Sequence, residues 1–350
     1  MSGTSLDGLD IAYCEFTQSG EYYGFKILCA ETVVYTDYWR KRLTFDPEIS
    51  AYNLKKLDLE FGNWVGEQVQ SFIFNNQLNP TYIASHGHTW FHEPENKINQ
   101  QIGDGYEIYR LTGIPVVNDF RSLDIRMGGQ GAPLVPIGDE LLFSDYDCCI
   151  NLGGIANISG KKDCVRISFD VAPFNLLMNH WSQKLGLAFD KNGEVAKNGK
   201  LISSLKANLA NLQYFSDLPP KSLGVEWLNQ EVFPIIRNYE NLAIADLLNT
   251  YTQFCAEQLI KSFKSFDQCR TVLLSGGGAY NRFFVDQLRL MAGERVNIVL
   301  PEPTVIDFKE AMIFAFLGWL RLNNQINCLK GVTGASKSVS GGMIYDHYWH

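Results

Sequence analysis

No block of Lys or Arg interrupts this chain of 350 residues, and its net charge is -8. Nucleic acids and anionic membranes call for clustered cations, so neither is expected as a partner; a local phosphate site is not excluded. The longest nearly pure apolar run, Ala311 to Leu320, is too short to span a bilayer and reads as a buried helix. No basic leader followed by an apolar segment opens the sequence, and the eight Cys include no C-x-x-C, so buried free thiols in a reducing cytoplasm are the expectation. Neither HExxH nor a Cys partner accompanies His86, His88 and His92, which favours a hydrogen-bonding substrate loop over a zinc site. Gly331 to Ser338 lacks the Gly before Lys337 that a phosphate-binding P-loop requires. Gly3 to Asp7 lacks the closing Gly of a nucleophile elbow.

What is present alternates between strand-like and helix-like patterns, an α/β arrangement. Strands are expected at Ile11 to Phe16, Tyr23 to Leu28 and Thr32 to Tyr35, with a turn at Ser19 to Glu21. Apolar positions Leu54, Leu57, Leu59, Phe61, Val65, Val69, Phe72 and Ile73 recur at helical spacing and predict a helix over 52–77, stopped by Asn79 and Pro80. The short strand Tyr82 to Ser85 leads into a polar loop, His86 to Thr89, and the strand Ile114 to Val117 into another, Asn118 to Arg121. Ligand sites of α/β sheets gather at such strand ends. Strands are also expected at 147–152, 155–159, 165–169, 271–274 and 296–300, and a helix over 308–322. Single cores stop growing near 250–300 residues, so two lobes are expected: 1–126 with about 308–350, and 127–307, parted at the flexible run Met127 to Pro133.

Three glycine loops follow or precede strands: Ser2 to Asp10, Gly153-Gly154 and Gly276-Gly277-Gly278. Glycine lets the backbone approach an anion closely, and main-chain N–H groups then donate to it. Carboxylates in such a turn repel phosphate, so the natural task of Asp7 is to hold Mg²⁺ through water. Asp170, at the end of the strand Val165 to Phe169 and ahead of Pro173, has the type and place of a general base; the local sequence equally suits a turn or cap Asp.

Taken in order, these stretches resemble the anhydro-N-acetylmuramic acid kinases. The matching residues are Met1 to Ile11, His86-Gly87 with Thr89, Gln101 to Asp104, Asp119 to Arg121, Gly128 to Ile137, Asn151 to Ile158, Phe169-Asp170, Pro219 to Gly224, Gly276 to Arg282 and Glu310 to Ala315. The resemblance implies a two-lobed actin-like (ribonuclease H-like) sugar-kinase fold with an ATP cleft, Mg²⁺, a small sugar as substrate and a homodimer. It implies Gly3, Thr4, Ser5, Leu6, Asp7, Gly8, Leu9 and Asp10 as the phosphate loop, with Gly153, Gly154, Gly276, Gly277, Gly278 and Asn281 holding nucleotide. Asp170 becomes the base. Glu310, Arg121, His86, Thr89, Asp119 and Asn175 become sugar contacts, the Arg121 fork being suited to the lactyl carboxylate. Two departures stand out. The family usually has a short strand ahead of the first loop, whereas this sequence opens at Met1. After Asp170 the family commonly reads Thr-Gly-Pro-Gly-Asn, whereas here Val171-Ala-Pro-Phe-Asn175 stands, so Phe174 is expected to narrow the sugar or nucleotide side and another sugar becomes an alternative substrate. A non-catalytic nucleotide or muropeptide sensor is the alternative of a different class; Asp170 buried in an ion pair would favour it.

Overall fold

The computed structural model describes residues 1–3 and 6–346, so the expectations for Thr4 and Ser5 lie outside the described residues. It forms two compact units, Met1–Leu142 with Phe308–His350, and Phe143–Asp307. The first boundary follows Leu142 rather than residue 126 because the glycine-rich run is bound to the first unit. The Gly131 N–H donates to Oδ2 of the fully buried Asp124 at 2.8 Å, and Gln130 N–H donates to the Thr333 carbonyl at 2.9 Å. A Cβ on Gly138 would lie 2.6 Å from Ile313. What reads as a linker is therefore a wrapped, hydrogen-bonded segment.

The first unit begins with β1 (Gly8–Ser19) and β2 (Tyr22–Val34), a single antiparallel hairpin with a bulge between Tyr13 and Cys14. The sequence suggested three short strands here; Cys29 to Glu31 contain no Gly or Pro to break pairing, so β2 runs through. Helix α1 (Ala51–Asn75) is capped by Ser50, whose side chain accepts from the Asn53 N–H, and it buries Phe61, Val65, Val69 and Phe72 on one face. Then come β3 (Ile83–Ala84), β4 (His88–Glu93), β5 (Ile98–Ile102), α2 (Gly105–Thr112) and β6 (Val116–Asn118). Strands β4 and β5 pair antiparallel, so His88 and Thr89 stand on a strand rather than in the expected loop.

The second unit contains β7 (Cys148–Leu152), β8 (Ile155–Lys162), β9 (Val165–Pro173), α3 (Asn175–Gln183), α4 (Ile244–Ser262), β10 (Thr271–Ser275), α5 (Arg282–Ala292) and β11 (Asn297–Val299). Its sheet runs β11-β10-β7-β8-β9, with β10 parallel to β7 and β11, and β8 antiparallel to both neighbours. Counted from β7, the spatial order is 3-2-1-4-5 with an antiparallel second strand, the ribonuclease H-like arrangement. Ile150, Leu152, Val272 and Leu274 are fully buried, as expected of central strands covered on both faces. Helix α6 (Pro303–Leu322) leads back to the first unit, where β12 (Met343–Tyr345) pairs antiparallel with β6, itself parallel to β3.

Among the described residues no helix is long and apolar enough to cross a membrane. Of the cysteines, Cys148, Cys149, Cys255 and Cys328 are buried; Cys164, expected to be buried, is exposed because it sits in the turn between β8 and β9.

Candidate active site

In the first unit the opening turn is held by Ser2. Its buried hydroxyl accepts from Tyr35 Oη at 2.6 Å and lies 2.9 Å from His88 Nδ1, while His88 Nε2 faces the Leu43 carbonyl at 3.1 Å. This network fixes the tautomer: His88 donates through Nε2 and accepts at Nδ1. Both nitrogens are used in packing the loop. Leu6 has a left-handed backbone (φ 56) and Asp7 is exposed, its Oδ1 accepting from the Gly8 N–H at 3.0 Å. Asp10 accepts from Thr32 Oγ1 at 2.6 Å. Leu9 is buried in the apolar core, so only its main chain is available to a nucleotide. A Cβ on Gly8 would lie 2.6 Å from Thr32 Cγ2 and 2.7 Å from the Val33 carbonyl, which explains glycine where β1 starts against β2.

The predicted sugar contacts of this unit fall into two groups. His86, Arg121 and Glu310 form one. Arg121 donates through Nη1 to the Gly131 carbonyl at 2.6 Å and through Nη2 to His86 Nε2 at 2.7 Å, and its buried Nε has no partner among the described residues. The His86 ring faces the Gly87 carbonyl through Nδ1 and packs edge-on against Phe314 at 4.5 Å. Burial, and then the neighbouring guanidinium, hold the imidazole well below its ordinary pKa, so it stays neutral and accepts from Arg121. Burial pulls Arg121 down to about 10, opposed by Glu310. Burial pushes the Glu310 carboxyl up, with Lys309 and Arg121 pulling it back and Asp10 adding to the rise.

Asp119 belongs to the second group. Its backbone is left-handed (φ 51), and its Oδ1 accepts from the Ser122 hydroxyl at 2.6 Å. With His86, Gln101, Asp104 and Asn118 it lines a polar cavity of about 230 Å³, into which sequence reasoning had not placed Lys55 or Tyr345. Asn118 Oδ1 is buried there without a partner among the described residues, an acceptor open to a ligand donor. Thr89 is turned to Gln101 Oε1 at 2.9 Å.

In the second unit two glycine loops and Asn175 come together. The Gly154 carbonyl accepts from the Phe174 N–H at 2.7 Å, and Asn175 Nδ2 donates to the Leu152 carbonyl at 3.1 Å. Gly276 has φ 78, and a Cβ there would lie 2.4 Å from Asn151 Oδ1; one on Gly278 would lie 2.4 Å from the Phe174 ring and 2.8 Å from Leu152. Phe174 is fully buried and meets Phe284 edge-on at 4.7 Å, so it fills the floor beneath Gly278 and narrows no open site. Asn281 caps α5, accepting from the Phe284 N–H at 3.0 Å. Nothing lies within 4 Å of a Cβ on Gly277, which is exposed. The two outer glycines thus serve packing, and the middle one faces open space. Gly278→Ala should therefore lower Tm by several degrees through overpacking. Gly277→Ala should leave Tm unchanged and raise the KM for ATP about tenfold, which steady-state kinetics beside thermal unfolding will read.

Asp170 sits inside β9, not beyond its end as the sequence suggested. The β8–β9 register shifts between Ala156 and Asn157, which pair with Ala172 and Asp170, so Val171 is the extra residue of a β-bulge. Bulges re-aim side chains and recur beside active sites. Oδ2 of Asp170 accepts from the Leu223 N–H at 2.8 Å, and its carbonyl accepts from Tyr214 Oη at 2.7 Å. Burial pushes the carboxyl above its ordinary pKa, and the Leu223 amide pulls it partly back; no charged partner contributes. Sequence reasoning noted the Pro219 to Gly224 stretch without seeing that its Leu223 amide pins the candidate base.

Residues 1–347 match the family described as anhydro-N-acetylmuramic acid kinase. The chain belongs to the anhydro-N-acetylmuramic acid kinase family. It is 34% identical to the anhydro-N-acetylmuramic acid kinase of Nitrosomonas europaea, covering 99% of this chain and 98% of that one. It is 33% identical to the enzyme of Mannheimia succiniciproducens, over 99% and 97% respectively, and 32% identical to that of Bacillus cereus, over 98% and 97%. The match extends over both units. Kinase family membership implies ATP use. Among the described residues no three His, Cys, Asp or Glu converge as a metal cage. Mg²⁺ is ordinarily carried by nucleotide phosphates, water and one or two carboxylates, and Asp7 is an exposed carboxylate of the opening turn.

Proposed function

We propose that this chain opens 1,6-anhydro-N-acetylmuramic acid with water and passes the γ-phosphoryl group of ATP to the freed 6-oxygen, giving N-acetylmuramic acid 6-phosphate and ADP. The observation that carries the reading is Asp170, presented on a bulge, anchored through one oxygen by the Leu223 amide and raised in pKa without a counter-ion. A carboxylate tuned toward neutral pH is a better proton acceptor than an ordinary one. Its other oxygen takes a proton from the attacking water; the water oxygen bonds to the anomeric carbon as the bond from that carbon to the 6-oxygen breaks. The 6-oxygen then receives the phosphoryl group.

Phosphoryl transfer is chiefly positioning and charge stabilisation. The turn Gly3 to Asp10 and the loops Gly153-Gly154 and Gly276 to Gly278 are assigned to nucleotide by that logic, and Mg²⁺ bound with the nucleotide offsets its phosphate charge. His86, Arg121 and Glu310, with Asp119 in its polar cavity, are assigned to the sugar. Thr89, Asn175 and Asn281 make only internal bonds in this structure and are assigned to shaping the site. On this reading we assign the enzyme to the cytoplasm, where murein fragments are recycled.

The test supplies ATP, Mg²⁺ and the anhydro sugar in ¹⁸O-water. Label is expected at the anomeric hydroxyl and none in phosphate, with ADP formed in step with sugar. A folded protein releasing no sugar-dependent ADP would overturn the proposal, and label in phosphate would mean simple ATP hydrolysis.

A further inference from the structure

Two cysteines far apart in sequence meet at one end of the second unit's sheet. Cys148 opens β7, fully buried, in register with Val272 of β10 and Gly160 of β8. Cys269 stands just ahead of β10 and is partly exposed. Both are thiols in this structure. The Cys269 Sγ donates to Cys148 Sγ at 2.6 Å, and Cys148 Sγ donates to the Gln268 carbonyl at 3.7 Å. A disulfide holds its sulfurs ~2.0 Å apart, so a shift of about half an ångström separates this contact from a bond. Neither residue is among those assigned to nucleotide or sugar.

The segment that carries Cys269 is pinned on both sides. Ahead of it, the Phe266 ring packs over Gly160, where a Cβ would lie 2.7 Å from the ring, and the Asp267 N–H donates to the Lys161 carbonyl at 2.8 Å. The Asp267 carboxylate accepts from the Asp163 and Cys164 N–H groups at 3.0 and 3.1 Å. Behind it, Asp147 Oδ2 accepts from the Arg270 and Thr271 N–H groups at 2.7 and 3.0 Å, and the Asp147 N–H donates to Thr271 Oγ1 at 3.0 Å. Asp147 adjoins Cys148, so the same bonds fix both cysteines. Strand alternation turns the adjacent Cys149 to the other face of the sheet. Two thiols already held in contact lose little further freedom on joining, which favours their bond over capture of either by a separate thiol.

We propose that Cys148 and Cys269 are a thiol–disulfide exchange site, oxidised by a small-molecule disulfide to a reversible bond that clasps β7 to β10. Cys269 is the entry point because solvent reaches it. Its thiolate attacks one sulfur of the oxidant and expels the other half as a thiolate. The Cys148 sulfur, giving its proton to that thiolate, then displaces the remaining half. Two protein thiols are oxidised to one disulfide, and one small disulfide is reduced to two thiols. The hydrogen bond from Cys269, then burial, hold the Cys148 thiol above its ordinary pKa, which suits a resolving thiol that acts second. The clasp joins the strands that lead into Gly153-Gly154 and Gly276 to Gly278, at the ends away from those loops. A disulfide in a reducing compartment is ordinarily transient, as such a site requires. The inference stands apart from the proposed reaction.

The test incubates the whole chain with oxidised glutathione and digests it without reductant. Mass spectrometry is expected to find one peptide pair joined through Cys148 and Cys269, two hydrogens lighter than the separate thiols and released by dithiothreitol. The bond closes a loop spanning 121 positions, so the oxidised chain should unfold about 5–10 °C above the dithiothreitol-treated one. Cys269→Ser should abolish that response, and in Cys148→Ser the glutathione should stay on Cys269 as a mixed disulfide. Exposed Cys164 is the internal clock. No Cys148–Cys269 bond in the parent chain by the time Cys164 has taken up glutathione would overturn the proposal. So would Cys269 joined to Cys164 or to a second chain, or a Cys148–Cys269 bond that leaves Tm unchanged.

Discussion

Asp170→Asn is expected to lower sugar-dependent ADP release about 10³-fold, the usual span for loss of a general base, while raising Tm at neutral pH. The two effects share one cause. The folded site holds the carboxyl above its ordinary pKa chiefly by burial, so between the unfolded and the folded pKa the native state binds more protons than the unfolded one. Stability then falls as pH rises through that window, and the full penalty stands above it. Asparagine carries no charge to desolvate, and its side-chain oxygen still accepts from the Leu223 N–H. The gain in Tm should therefore be largest above the raised pKa and fade as pH drops through it, vanishing only below about 4, where the parent carboxyl becomes protonated in both states. The pH profile of the parent enzyme should show an acid limb above the ordinary carboxylate value. Thermal unfolding across pH, ATP binding by calorimetry and coupled ADP release read all three. A variant that loses Tm and ATP binding together would make Asp170 a structural residue.

Much of this site was legible because its residues are constrained locally. Glycines must stand where a strand turns into a loop under a neighbouring chain, as Gly276 does at φ 78 and Gly278 does over Phe174. A carboxylate between an apolar strand and a Pro stands out in any reading. What the local pattern hid depends on contacts far apart in sequence. The bulge that aims Asp170 is a mismatch between two strands, and neither strand shows it alone. The run Met127 to Pro133 has linker composition, yet its amides are spent on Asp124 and Thr333, the latter some two hundred positions on. Phe174 stands where the family commonly has glycine and was expected to narrow the sugar or nucleotide side; it points instead into the core because the Gly154 carbonyl captures its N–H and turns the chain into α3. His88 lies in a polar tetrapeptide that suggests a substrate loop, but pairing of β4 with β5 turns it inward to hold Ser2. Composition reports which residues can bond; register decides to what.

Arg121→Met should have the largest cost in stability. It removes the donor to the Gly131 carbonyl and to His86 Nε2, and it withdraws the cation that eases Glu310 toward its charged form. Two enclosed acceptors without donors and a carboxylate without its neighbouring charge together cost about 3–5 kcal/mol, or a Tm lower by ~10 °C. Arg121→Lys separates the contributions. It keeps a cation near Glu310 but has no planar fork to reach two acceptors at once, so its Tm should fall between parent and Arg121→Met. Activity separates them further. If Arg121 orients the sugar through its lactyl carboxylate, Arg121→Lys raises the KM for the anhydromuramic sugar by tenfold or more while barely changing whatever turnover the parent gives with 1,6-anhydro-N-acetylglucosamine, which has no such carboxylate. If the residue only braces His86 and the Gly131 turn, both sugars lose activity in equal proportion. The ratio of the two specificity constants, measured below the Tm of the variant, therefore assigns Arg121 to substrate or to scaffold whatever the variant does to stability.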